Sequence, residues 1–247
     1  MQSFLYGATT YFKGLQLIAK HRLWLYFWIP VFISLALAAL VLNTAYQLSD
    51  EMGHWLVSFY PWEWGKAGVE RIAGFMGGAS LVVFTLLIFR YIVMGLASPF
   101  MSLLSDRLEQ KLRPDHPPTP FSWSRMLSDL IRGLRIVFRN ITLELTFTIL
   151  LLLLGLIPIF SPFVPFLLIL LQAYYAGFGN FDYTLERRFK VRQSVRFVRR
   201  NRMLAMGNGI VFVLVLMTGI GVVFALPLGT AAGVVVCLER QDAEQAN

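Results

Sequence analysis

Arg188, Arg192, Arg196 and Arg199 recur at three- and four-residue spacing within RRFKVRQSVRFVRRNR (187–202), a segment with eight Lys or Arg and no acid. That spacing aligns guanidinium groups along one helical face, beside Val191, Val195 and Val198. Such a face either concentrates small anions before a vestibule or binds lipid phosphates, at about 1 kcal/mol per basic residue near the surface. A second cationic group, Lys20, His21 and Arg22, precedes the first long apolar run. It reads either as an anion-binding cluster or as ordinary positive charge on the cytoplasmic side of a membrane. Arg90, in LLIFRYIVMG (86–95), is the one charge close to the interior of an apolar stretch. Charges so placed are functional or paired, unless a long side chain snorkels to the interface. Guanidinium supplies the planar, paired hydrogen bonds that a tetrahedral dianion accepts.

Other chemistries lack their parts. The sequence contains no H-E-x-x-H, no G-x-S-x-G and no G-x-x-x-x-G-K-[ST], which removes the signatures of zinc peptidases, serine hydrolases and P-loop ATPases. No enzymatic activity is expected. His21, His54 and His116 fit no metal-ligand spacing, and the single Cys237 excludes an internal disulfide. Neither a metal nor a cofactor is expected, nor a nucleic-acid partner.

The elements that must position these residues are membrane helices. Of the 247 residues 57% are hydrophobic and only 15% charged, against about a quarter charged in soluble domains. Residues 23–49, 72–89, 145–181 and 203–238 contain no Asp, Glu, Lys or Arg, and a span needs about 20 such residues. One integral membrane domain is therefore expected over 1–247. The charged segment ahead of the first apolar run argues against a cleaved signal peptide.

Residues 1–22 hold three Lys or Arg and no acid, whereas 50–70 hold Asp50, Glu51, Glu63 and Glu70 against Lys66 alone. Positive-inside bias then puts the N-terminus in the cytoplasm and the 50–70 loop outside, with Trp55, Tyr60, Trp62 and Trp64 as interfacial anchors. Span 1 covers 23–49 and span 2 covers 72–97. Cytoplasmic or interfacial helices follow over 100–141, the first through Phe100, Leu103, Leu104, Leu108 and Leu112. After the breaker RPDHPPTP (113–120) comes the second, with Trp123, Met126, Leu127, Leu130, Ile131, Leu134, Val137, Phe138 and Ile141 on one face. A helix of this type lies on a membrane or packs beneath a bundle.

Residues 145–181 pose a topological choice, because Pro158, Pro162 and Pro165 interrupt them. A single crossing would carry the basic segment 187–202 outside, against the charge bias. It would also need a helix of about 55 Å in a core of about 30 Å. A re-entrant hairpin turning at PIFSPFVP satisfies both constraints, provided protein or water shields the turn. Residues 203–238 are expected to repeat the device, turning at FALPLG (224–229), with the C-terminus inside. Gly74 with Gly78, and Gly229 with Gly233, form small-xxx-small pairs suited to close helix contact.

YFKGLQLI (11–18) followed by Ile29 and Pro30, ASPFMSLLSDRLE (97–109), and NFDYTLERRFKVRQSVRFVRRNR (180–202) leading into a Gly-rich apolar end appear in an order and spacing that resembles the CysZ family of sulfate permeases. The wider group is the etoposide-induced-protein-type membrane domain. The resemblance covers most of the chain. It implies an all-α inner-membrane protein with two long transmembrane helices, two hemi-penetrating hairpins and a homo-oligomeric assembly. The implied partner is a small oxyanion, sulfate first, with anionic lipids around it. Members of the family typically carry Gly-Leu-Arg or Gly-Ile-Arg before the first span, which looks like their anion site. Ungapped alignment from Gly14 to Pro30 sets Arg22 at the glycine position and Trp24 at the arginine position. The motif is missing, and the string Gly133-Leu134-Arg135 sits in an amphipathic helix instead. A permease for sulfate or a related oxyanion is the first expectation. A non-transporting, membrane-organising or lipid-interacting protein of the same fold is the alternative.

Overall fold

The computed structural model describes residues 2–57, 92–114, 122–218 and 221–245, and every regular element among them is helical. Eight α-helices follow in order: α1 (Gln2–His21), α2 (Leu25–Val57), α3 (92–112), α4 (Trp123–Gly155), α5 (Val164–Leu185), α6 (Val191–Arg200), α7 (Arg202–Met217) and α8 (Gly221–Gln245). The chain forms two compact units, one from 1–31 with 94–247 and the other from 32–93. The smaller unit contains α2 from residue 32 onward. Arg90, Tyr60, Trp62, Trp64, Gly74, Gly78 and nearly all of span 2 lie outside the described residues, as does the side chain of Trp55.

In the larger unit, α1 presents Gly7, Tyr11, Gly14 and Ile18 as one buried face, at the spacing of an amphipathic helix. That face packs against α7 and α8. Its glycines permit the contact, since a Cβ at Gly7 would lie 2.4 Å from the Leu204 carbonyl oxygen. The α5–α7 interface is closer still. A Cβ at Gly177 would meet the Ala205 oxygen at 1.9 Å, and one at Gly209 the Ala173 oxygen at 1.7 Å. Small residues let helix backbones touch where lipid provides no hydrophobic drive for association.

The amphipathic stretch 123–141 and the first arm of the 145–181 segment form one unbroken helix, α4. It ends at Gly155, and a turn with a short 3-10 helix, Ser161–Phe163, leads into α5 at the prolines. Proline cannot donate to the preceding turn but is accepted in a helix's first turn, so Pro158 and Pro162 break the chain while Pro165 opens α5. The two arms pack together, and α4 and Ser161–Leu185 are each long and apolar enough to cross a membrane. The turn is apolar and exposed, with Leu156 78% and Ile159 72% accessible. An apolar tip of this kind is suited to hydrocarbon rather than water.

Residues 203–238 also form two packed helices, but they do not turn at 224–229. Pro227 lies inside α8, and the chain reverses between Met217 and Gly221. Glycine decides the place, because a Cβ at Gly221 would fall 1.6 Å from the Val215 carbonyl oxygen. Pro227 falls in the second turn of α8, where it removes one backbone hydrogen bond without ending the helix, whereas a side chain at Gly221 has no room. Leu214, Met217 and Phe224 leave this second tip apolar and exposed. Gly229 and Gly233 pack within the chain, against Asn180 of α5.

The face of α3 differs from the expected one. Ala97, Met101, Leu104 and Leu108 are buried, and so are Ser98, Ser102, Ser105, Asp106 and Glu109, while Leu112 is exposed. A polar stripe is buried only where partners meet it, and those partners come from α5 and the turn after it.

Candidate anion-binding site

Glu109 has no solvent exposure and accepts hydrogen bonds from Arg187, at 2.8 Å, and from Arg188. Arg187 also reaches Ser105, whose hydroxyl is 3.0 Å from that of Thr184. Burial pushes the Glu109 carboxyl up, but the two guanidinium groups outweigh it and hold it below the usual carboxylate range. On the neighbouring side, Arg132 of α4 donates to Asp182 at 3.0 Å, to Ser194 at 2.9 Å and to the Phe189 carbonyl at 2.7 Å. Glu186 lies 3.9 Å from the Arg132 Nε. Its burial, with Asp182 and Asp129 as like charges beside it, raises the carboxyl well above its ordinary value. Arg113 continues the network to Asp242 and the Leu238 carbonyl of α8. Paired charges under this degree of burial clamp helices together. Asp182 therefore serves the α4–α5–α6 junction as the partner of Arg132, with Glu186 buried beside them.

Arg188 is turned toward Glu109, whereas Arg192, Arg196 and Arg199 are exposed along α6. Sequence periodicity aligns all four, but only three face outward. The chain bends by 91° between α6 and α7.

The Lys20, His21 and Arg22 group occupies the turn from α1 into α2. Arg22 adopts φ 56°, alone among the described non-glycine residues in having a positive φ. Its amide donates to the Ala19 carbonyl at 3.3 Å, and that of Leu23 to the Ile18 carbonyl at 3.0 Å. This bond pair is a Schellman C-cap, whose left-handed position usually holds glycine. Arg22 thus occupies a backbone position that prefers glycine, which is the residue the family resemblance places there. Lys20 and Arg22 are exposed and His21 half-exposed.

The two cationic groups do not share one site. Tyr6 donates to Glu239 and Lys13 lies 3.4 Å from it, so the start of α1 meets the end of α8 beside the ionic network. At 1.5 Å per residue, Arg22 lies about 24 Å further along α1. There Phe27 contacts Phe224 edge to face at 5.7 Å, near the second apolar tip. Between the ends, Asn180 donates to Asn208 at 2.8 Å, and Tyr11 to the Asn208 carbonyl at 3.0 Å. Hydropathy gave no sign of this polar pair, since uncharged amides scarcely interrupt an apolar run. A cleft of about 400 Å³ beside Tyr6, Glu239 and Arg240 mixes charges of both signs. Among the described residues no group of His, Cys, Asp and Glu suits a metal ion.

Apolar tips, an ionic clamp at the opposite end and outward cationic groups define an all-helical integral membrane protein. The model of the sulfate transporter CysZ/etoposide-induced protein 2.4 family matches residues 10–227, and the chain belongs to that family. It is 25% identical over 213 residues to the sulfate transporter CysZ of Pseudomonas paraeruginosa, covering 83% of each chain. It is 24% identical over 208 residues to that of Pseudomonas aeruginosa strain LESB58, again covering 83% of each.

Proposed function

We propose that this protein is an inner-membrane permease of channel-like character for sulfate or a related small oxyanion. The observation that carries the reading is the position of Lys20, His21 and Arg22. They stand exposed about 24 Å from the ionic end, toward the apolar tips, where unpaired charge is costly unless it serves an ion. The names of the Pseudomonas relatives add support for sulfate. A basic face on α6 raises anion concentration at the cytoplasmic end. The protein works as a homo-oligomer among anionic lipids, with both termini cytoplasmic.

In this reading the α4–α5 pair is re-entrant. Its uncharged α4 arm, 145–155, reaches about 16 Å, roughly half of a core of about 30 Å. The α7–α8 pair enters beside it, and α7 by itself reaches about 24 Å. No carboxylate lies within either uncharged stretch to relay protons, which favours passive or externally coupled flux.

Labelled-sulfate uptake into liposomes holding the purified protein tests the function. Uptake above that of empty liposomes, lowered at least several-fold in Arg22→Gln at equal folded protein, is expected. Uptake equal to that of empty liposomes across pH and salt would leave the non-transporting, lipid-organising reading in its place.

A further inference from the structure

A cleft of about 400 Å³ opens where α1 and α7 begin and α8 nears its end. Leu204 and Val236, both buried, form its apolar floor, and Gln2, Ser3, Glu239 and Arg240 bring polar groups to its walls. Glu239 and Arg240 are successive residues of α8, so their side chains diverge by about 100° around the helix and do not face each other. Both nonetheless line one space. The Glu239 carboxyl is held from α1, by the Tyr6 hydroxyl at one oxygen and by Lys13 at 3.4 Å from the other. A carboxylate offers about four acceptor positions, so these two contacts leave room for a further donor.

The cleft straddles the level at which α7 and α8 pass from uncharged to charged sequence. Leu204 and Val236 lie within the uncharged stretch 203–238, and Glu239 and Arg240 just outside it. Lys13 marks the same level from α1. Its ammonium reaches back toward the helix start, to 3.2 Å from the Tyr6 hydroxyl and 5.1 Å from the centre of the Tyr6 ring, as a lysine does when it snorkels out of hydrocarbon. Leu5 and Met203, exposed on the same turns of α1 and α7, offer apolar surface for acyl chains. An acid, a guanidinium and an apolar floor at that height match a headgroup carrying both signs of charge. The guanidinium suits phosphate oxygens, and the carboxylate accepts from a primary ammonium.

We infer that Gln2, Ser3, Glu239 and Arg240 form a binding site for ethanolamine phosphate, presented as the headgroup of a phospholipid or as the free zwitterion. Arg240, with Ser3 and Gln2, holds the phosphate, and Glu239 takes the ammonium. The site is distinct from the α1–α2 turn and does not depend on transport.

Retention of phosphatidylethanolamine, phosphatidylcholine and phosphatidylglycerol is measured by native mass spectrometry of the full-length protein, released from nanodiscs holding the three lipids in equal amounts. O-phosphoethanolamine is titrated calorimetrically in neutral detergent. Phosphatidylcholine keeps both charges, but its trimethylated nitrogen has no proton to donate to Glu239; phosphatidylglycerol keeps the phosphate and lacks the ammonium. The unmodified protein should retain phosphatidylethanolamine about tenfold over either, the worth of one charge-assisted hydrogen bond. Glu239→Gln should bring phosphatidylethanolamine level with phosphatidylglycerol, Arg240→Gln should weaken retention of all three, and the control Lys111→Gln, at an exposed position on α3, should change none. Melting temperatures in the same detergent separate loss of fold from loss of binding, and the comparison among lipids needs no variant. Selectivity among lipids without heat from O-phosphoethanolamine identifies the lipid as the source, and heat without selectivity identifies the free zwitterion. Equal retention of the three lipids with no heat, or selectivity that survives both Glu239→Gln and Arg240→Gln, overturns the site.

Discussion

Arg187 donates to Glu109 at 2.8 Å, joining the turn after α5 to the last turn of α3 across 78 residues of sequence. Both side chains are almost wholly removed from solvent. Removing one partner of such a pair leaves the other charged and desolvated. Glu109→Gln should therefore destabilise the protein by about 3–5 kcal/mol, with Arg187 and Arg188 both losing their acceptor. Thermal unfolding in detergent measures it, and a melting temperature unchanged from the parent would contradict the clamp.

Arg22 separates fold from function at one position. Its left-handed φ costs an L-residue about 1–2 kcal/mol that glycine avoids. Arg22→Gly should raise stability by about 1 kcal/mol while lowering oxyanion flux, because the backbone gains what the site loses. A variant both more stable and fully active would keep the cap and dismiss the side chain from transport.

Glu186 predicts a pH dependence opposite to that of a salt-bridged acid. Its folded-state affinity for a proton is raised by burial and by Asp182 and Asp129. The native state then binds the proton more tightly than the unfolded chain. The contribution to stability is fully present below the ordinary value of 4.5 and is lost as pH rises through the raised folded value. Relative to Glu186→Gln, the parent protein should become progressively less stable as pH climbs. Parallel melting curves for the two proteins across that window would refute the assignment.

Topology is tested with single cysteines in a Cys237→Ser background, since Cys237 is fully buried. Arg196 is exposed on α6, and Ser161 sits at the first tip. Arg196→Cys should react with membrane-impermeant thiol reagents in inverted vesicles and not in intact cells. Ser161→Cys should resist them from both sides until detergent is added. Reaction of Arg196→Cys from outside would show that α4 and α5 carry the chain across.

Hydropathy and charge were enough to mark the membrane class and the break at Pro158 and Pro162. Each of these depends on neighbours in sequence: a long uncharged run marks a segment for lipid, and a missing amide ends a helix locally. The direction of the arginines was not legible. Arg188 and Arg192 look equivalent in sequence, yet only Arg188 finds a buried carboxylate, supplied by a helix 79 residues away. The stripe Ser98, Ser102, Ser105 and Glu109 reads as an outer face until Arg187 is set against it. The second turn was misplaced for a related reason. Pro227 is the stronger local breaker, but the close approach of the Val215 carbonyl to Gly221 exists only once α7 and α8 fold back together. Local sequence thus determined where helices form and which of them prefer lipid. Tertiary structure decided which charges neutralise one another and which stay exposed, because Coulomb energy depends on distance in space and on burial, and neither is written in the order of the residues.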